Sequence, residues 1–462
     1  MNATQSDAFV FFGATGDLAY KKIFPALQAL IKSGELNVPI IGVARDDWNH
    51  EKLQLRAKES LENNGGLDPE VFSKLAKLMR YVKGDYNDPN TYKYLKQTLG
   101  GLLRPLHYMA IPSSMFAVVV RGLESSGCAA DARIIIEKPF GRDLASALEL
   151  NHILHSVFPE QAIFRIDHYL AKEAVQNLVY FRFANAIFEP VWNRNHIDSI
   201  QITMAENFGV QGRGSFYEET GAIRDVVQNH LLQVTALLAM EAPSGHDAKS
   251  IQSEKLQVMR AMRPLDPHEV VRGQFRGYRD EKGVAVDSNV ETFAALQLHI
   301  DTWRWAGVPF YIRAGKSLPI SSTEVIVDFK LPPLPLFDEI GSTQSNYFRF
   351  RLSPDVVISA GIRVKHAGTE MRGEAVELTL RHQPTQEDLP YVRLLGDAIR
   401  GDAALFTSGE NVEAAWAVID PVLHLTEPVQ LYEPGSWGPS AADDIVAGEE
   451  RWHNPLYSVG DI

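Results

Sequence analysis

The chain has a single cysteine, Cys128, in 462 residues. One thiol cannot close an internal disulfide, which excludes a disulfide-stapled scaffold and fits a reducing compartment. Positive charge is also scarce: 45 Lys and Arg stand against 58 Asp and Glu, leaving a net charge of −13. Binders of phosphate backbones need a basic footprint, so nucleic acid is not an expected partner. A small anionic substrate stays open, because a few local cations can dominate one cleft. No run approaches the ~20 apolar residues of a membrane span. The opening MNATQSDAFVFFGATGDL has no basic stretch followed by a long apolar core. The expectation is a soluble, cytoplasmic protein with no membrane partner. Internal repeats, low-complexity tracts and disordered linkers are missing too. What remains is 45% hydrophobic and 22% charged, over a length that suggests two or three domains with large cores.

Short apolar runs open the chain: AFVFF (8–12), VPIIGVA (38–44), LHYMAIP (106–112) and RIIIEKP (133–139). Between them, EKLQLRAKESLEN and PEVFSKLAKLM carry helical apolar spacing. This alternation predicts βαβ units and a parallel sheet covered by helices on both faces. Beyond about residue 180, HIDSIQITMAE, VETFAALQLHID, EVIVDFKL, NYFRFRLSPDVVISAGIRVKH and AVELTLR alternate like strands at closer spacing. They predict a large, mostly antiparallel sheet with one face polar or used for another contact. Helical stretches fall near 222–241 and 387–406. The expected fold is thus α/β followed by α+β. An N-terminal Rossmann-like domain spans 1–166 and a larger β+α domain spans 167–462, with chemistry expected in the cleft between them.

Four stretches carry candidate chemistry. After AFVFF, GATGDL places Gly13 and Gly16 where a backbone turns tightly, and a following helix would offer unpaired N–H groups to a pyrophosphate. The spacing falls short of G-x-G-x-x-G, so a plain glycine turn competes equally. The second strand ends in VARDDW. There an acidic residue suits a free ribose 2′-hydroxyl and an arginine suits a 2′-phosphate; Arg45 and Asp46 send both signals. RIDHYLAKE (165–173) crowds cations, carboxylates, His168 and Tyr169 into nine residues, as either a solvated turn or a converging site. In GRGSFYEETGAIRDVVQNHLLQ, Ile223, Val227, His230 and Val234 share an apolar helical face. His230 is then either a satisfied core histidine or a desolvated, neutral general base. On an α-helix Asp225 projects to a different side.

Taken together these segments resemble the glucose-6-phosphate 1-dehydrogenase family. The likeness runs in order through GATGDLA, EKPFG (137–141), RIDHYLAKE, GRGSFYEETGAIRDVVQNHLLQ, ETF with WRWAGVPFYIRAGK, and YEPGSWGP (432–439). The resemblance implies oxidation of glucose 6-phosphate to 6-phosphogluconolactone, the first step of the oxidative pentose phosphate pathway, with hydride passing to NADP or possibly NAD. It makes His230 the catalytic base and Asp167 the carboxylate paired with it. His168, Tyr169 and Lys172 match the phosphate-binding group. Lys138 reaches both sugar and coenzyme, while Glu206, Asp225 and Lys316 match further sugar contacts. Gly13, Thr15, Gly16, Asp17 and Leu18 match the coenzyme fingerprint, and Arg45 the 2′-phosphate contact. No metal is expected. The family fold also implies a homodimer, or a dimer of dimers, formed through the larger domain's sheet.

The chain departs from the family pattern at several points. Ala171 stands where glycine is usual, and Ser321 and Ser322 follow the Gly-Lys pair where a further basic residue is frequent. Asp46 beside Arg45 keeps NAD use open. No additional structural nucleotide site is expected in a chain of this length. Two other readings compete: a dehydrogenase of an unphosphorylated sugar, and a nucleotide-binding scaffold without catalysis.

Overall fold

The computed structural model describes residues 5–334, 336–337, 345–369, 371–382, 390–446 and 451–456. The chain divides into two compact units. Unit 1 comprises Met1–Lys172, Pro243–Ser253 and Asp388–Glu413, and unit 2 comprises Glu173–Ala242, Glu254–Glu387 and Ala414–Ile462. The division falls at 172/173, six residues past the expected 166/167, and two later segments return to unit 1.

Unit 1 is built on six parallel strands: β1 (Ala8–Phe12), β2 (Ile40–Ala44), β3 (Met79–Lys83), β4 (Pro105–Met109), β5 (Arg133–Glu137) and β6 (Ile163–Ile166). Their order is β3-β2-β1-β4-β5-β6. β1, β2 and β4 are buried along their whole length, which is why they read as unbroken apolar runs. β3 has exposed Arg80 and Lys83 and does not read as such a run. The order reverses between β1 and β4, and the crevice beyond their carboxyl ends is where such sheets bind ligands. The core joins Phe9, Phe11, Leu27, Leu30 and Leu53 to Leu394 and Leu395 from the helix Pro390–Arg400. That helix was expected over 387–406. Gly401, at φ 83°, follows its last residue, a left-handed stop that glycine adopts without strain; 387–389 lie outside the described residues.

Unit 2 carries β7 (Ile197–Ala205), β8 (Val270–Phe275), β9 (Phe293–Leu298), β10 (Phe310–Gly315), β11 (Ser322–Phe329), β12 (Tyr347–Ser353), β13 (Val356–Lys365), β14 (Gly373–His382) and β15 (Gln430–Tyr432). They form one sheet, ordered β14-β13-β12-β11-β7-β10-β9-β8-β15. All pairings are antiparallel except β7 with β10 and β8 with β15. The helical stretch expected at 222–241 is two helices end to end: a π-helix over Ile223–Leu231, then an α-helix over Leu232–Ala239. Two buried indoles hold its far end. Trp192 Nε1 donates to the Leu238 carbonyl at 2.9 Å and Trp305 Nε1 to that of Ala239 at 2.8 Å. Both oxygens belong to the last turn, whose carbonyls lack intrahelical partners. No described helix is long and apolar enough to cross a membrane.

Candidate active site

In unit 1, β1 ends at a turn that only glycine can make. Gly13 has φ 80°, and a Cβ there would lie 2.1 Å from the Ala110 carbonyl oxygen. The turn is tied down by Gly13 N–H donating to the Val43 carbonyl (3.0 Å) and Gly16 N–H to that of Gly13 (3.0 Å). Thr15, Gly16, Asp17 and Leu18 follow, leading into a π-turn over Ala19–Ile23 and the α-helix Phe24–Lys32. Pro25 sits in that helix's first turn, where a missing N–H costs nothing. The geometry suits close approach of a phosphate to backbone. Leu18 packs on the core while Gly16 and Asp17 are exposed.

Beyond β2, Arg45 and Asp46 are both exposed. The two do different work. Asp46 Oδ2 accepts from the Thr15 hydroxyl at 2.6 Å, joining the fingerprint to the second strand's end. Arg45 lies near Asp85, whose carboxyl is held below its usual range by Asn87 first and Arg45 last. Burial pushes the neighbouring Tyr86 phenol up to about 12.

At the end of β5, Glu137 precedes Lys138, which is joined to Pro139 by a cis bond. Burial pushes the Glu137 carboxyl up to about 7, against hydrogen bonds from Tyr108 and Tyr391 and the nearby charge of Lys138. Sequence reasoning passed over Glu137, whose signal was a carboxylate at the end of an otherwise apolar strand.

RIDHYLAKE separates by geometry. Arg165 lies inside β6, fully buried, with Nη1 2.8 Å from Glu160 and Nη2 2.8 Å from the Asn151 Oδ1. It is a structural clamp. The strand ends at Ile166, and the chain turns. Tyr169 N–H donates to Asp167 Oδ1 at 3.0 Å, Leu170 N–H to the Asp167 carbonyl at 3.1 Å, and Lys172 N–H to that of Tyr169 at 3.1 Å. Asp167 is buried. The Lys172 ammonium rests 3.9 Å from the centre of the Tyr169 ring, and the His168 ring meets that ring edge-on. The turn therefore gathers His168, Tyr169 and Lys172. Ala171, in place of the usual glycine, is fully buried in the unit 1 core; its methyl adds packing. The helix Glu173–Ala184 starts one residue beyond Lys172.

Unit 2 collects the remaining candidates. β7 and β10 run parallel with Ala205 opposite Gly315, so the next residues, Glu206 and Lys316, emerge side by side. Lys316 is buried and forms an ion pair with Glu206, whereas a lysine at a strand end usually faces solvent. Its ammonium also sits 5.0 Å from the Phe208 ring and 5.6 Å from that of Tyr217. Burial raises the Tyr217 phenol well above its ordinary range, reinforced first by Asp225 and then by Glu206. Tyr217 thus belongs with Glu206, Asp225 and Lys316, and was missed although it lies within a quoted motif. Ser321 stands where a basic residue is frequent. It accepts from Asn207 N–H at 3.0 Å and donates to Asn207 Oδ1 at 2.7 Å, bracing the loop after Glu206.

The π-helix answers the question left by helical projection. Five α-helical residues turn the chain by about 500°, leaving Asp225 and His230 about 140° apart. Bonding from i to i+5 widens the turn and narrows that separation, and both lie within Ile223–Leu231. The Asn229 amide engages the ladder here, with Nδ2 donating to the Arg224 carbonyl (3.3 Å) and Oδ1 accepting from His230 N–H (2.6 Å). His230 itself is buried. Its expected partner, Asp167, belongs to the other unit.

Comparison with known proteins agrees along the whole chain. Residues 10–177 match the family described as glucose-6-phosphate dehydrogenase, NAD binding domain, and residues 179–453 match its C-terminal domain. Glucose-6-phosphate 1-dehydrogenase 1 of Mycobacterium tuberculosis is 42% identical over 459 residues, covering 98% of each chain. The crystal structure of glucose-6-phosphate 1-dehydrogenase from Mycobacterium avium superposes with a TM-score of 0.93 at 43% identity, covering 98% of this chain and 100% of that one. A glucose-6-phosphate dehydrogenase in complex with its substrate glucose 6-phosphate gives 0.89 at 34% identity, covering 96% and 98%.

Proposed function

The chain belongs to the glucose-6-phosphate dehydrogenase family, and from that premise we propose how its residues divide the work. The activity is oxidation of glucose 6-phosphate to 6-phosphoglucono-1,5-lactone, the entry to the oxidative pentose phosphate pathway. Unit 1 holds the coenzyme and unit 2 most of the sugar. Bound at the Gly13 turn, a nicotinamide dinucleotide supplies the hydride acceptor. His230 takes the proton from the anomeric hydroxyl, and Asp167 pairs with the imidazolium that forms, the logic of a base with an orienting acid. His168, Tyr169 and Lys172 hold the phosphate through charge-assisted hydrogen bonds. Glu206, Asp225 and Lys316 engage the sugar, and Lys138 reaches sugar and coenzyme.

One observation carries this reading: His230 lies buried on a π-helix, whose wider turn brings Asp225 closer to its side than an α-helix would. A core histidine packed for stability alone gains nothing from that wider turn. NADP is the favoured coenzyme because Arg45 is exposed beside the fingerprint. NAD use is retained because Asp46 offers a carboxylate at the same edge. The protein works in the cytoplasm as a homodimer, or a dimer of dimers. Exposed Leu378 and Leu380 on β14 support burial of the sheet's outer strand against a second copy.

Steady-state kinetics with NADP and NAD, on glucose 6-phosphate and on free glucose, test the reading. Reduction of either coenzyme with the phosphorylated sugar strongly preferred is the expected result. Equal kcat/KM for free glucose would favour a dehydrogenase of unphosphorylated sugars, and coenzyme binding without reduction would favour the scaffold.

A further inference from the structure

The helix that starts at Gly214 is broken at Gly221, where φ is 62° and ψ −178°. A Cβ at Gly221 would lie 2.4 Å from Glu291 Oε1. Glu291, on the segment leading into β9, fills the space at the break and meets the π-helix there. Its backbone carbonyl accepts from Ala222 N–H at 3.0 Å, and its Oε1 accepts from Ile223 N–H at 3.1 Å. Oε2 faces Arg272 Nε at 3.8 Å. The first N–H groups of a helix have no partner within it, and a negative charge beside them also meets the positive end of the helix dipole.

Glu291 is buried, and burying a carboxylate is costly unless it is paired and hydrogen-bonded. Burial raises its carboxyl above the ordinary range, opposed by the Ile223 N–H and by the charges of Arg272 and Arg224. An apolar residue at this point would close the core at less cost but would leave the helix start without its acceptor.

We propose that Glu291 is a positioning residue for the oxidation: it anchors the first turn of the π-helix and so keeps Asp225 and His230 in register. The inference rests on the reading of His230 as the base. Glu291 acts through the backbone of Ile223 rather than on substrate or coenzyme.

Three full-length variants test it by reach and charge. Glu291→Gln keeps an acceptor oxygen at full length, Glu291→Asp keeps the charge but draws the oxygen back from Ile223, and Glu291→Ala removes both. The expected result is a kcat loss of ~5–50-fold in the Asp and Ala variants, the scale of one buried hydrogen bond. The Gln variant should restore most of that loss, with KM for the coenzyme within about two-fold of the parent throughout. A parental kcat in Glu291→Asp, or a Gln variant no better than Asp, overturns the proposal. So does a matching loss of coenzyme affinity, which would mark a general defect of folding. Should Glu291→Ala fail to fold, the comparison of Asp with Gln decides alone. His230→Asn measured alongside separates the premise: turnover retained there removes the base assignment, whereas the Gln-over-Asp order reads the anchor itself.

Discussion

The turn from Asp167 to Lys172 and the π-helix from Ile223 to Leu231 both present proposed site residues, but different bonds shape them. The turn has local bonds of its own. Hydrogen bonds within it join residues two or three apart, and Lys172 lies across the ring of Tyr169. The helix is held from a distance, by Glu291 at its start and by Trp192 and Trp305 beyond its end. A local turn suits groups that grip a charged ligand, since small errors in position are absorbed by flexible side chains. A base acting on one proton needs its geometry fixed from outside. The difference predicts that His230 on the helix sets kcat, while His168, Tyr169 and Lys172 on the turn set KM.

His230→Asn carries the largest expected effect. Removing the proposed general base should lower kcat by ~10²–10⁴-fold while KM for glucose 6-phosphate changes little. A variant that kept kcat and lost only affinity would place His230 with the binding groups and erase the contrast.

Lys172→Ala probes the other side. Loss of the proposed charge-assisted hydrogen bond to phosphate should raise KM for glucose 6-phosphate by ~10–100-fold, with kcat nearly parental. Inhibition by inorganic phosphate should weaken in parallel. A fall in kcat at unchanged KM would mean that Lys172 supports the base rather than the substrate.

The two regions also differ in how far the sequence discloses them. The turn was readable as a dense local cluster, left open between a solvated turn and a converging site, and β6 stops at Ile166 just before it. Arg165 shows the limit of counting charges, since its guanidinium is committed to Glu160 and Asn151. The π-helix was hidden because apolar periodicity presumes 3.6 residues per turn, and nothing in RDVVQNH announces a wider one. The Glu206–Lys316 pair was hidden for another reason. Its strands are parallel neighbours distant in the chain, and such pairings are set by topology. Buried strands such as β1 and β2 were the clearest elements, because burial on both faces leaves an unbroken apolar signature.

The smallest effect extends the comparison to the coenzyme edge, where a fixed backbone and mobile side chains meet. The Gly13 turn is dictated by sterics, whereas Arg45 and Asp46 are exposed. Exposed charges interact by ~0.2–1 kcal/mol, so Asp46→Ala should lower KM for NADP by only ~2–5-fold. KM for NAD should rise by a similar factor, because a ribose 2′-hydroxyl loses its acceptor. Both shifts should shrink as ionic strength rises and the Debye length falls below ~10 Å. If KM for both coenzymes instead drifts upward together, Asp46 serves as the acceptor that holds Thr15. The carboxylate would then belong with the fixed turn, and selectivity at this edge would rest on Arg45.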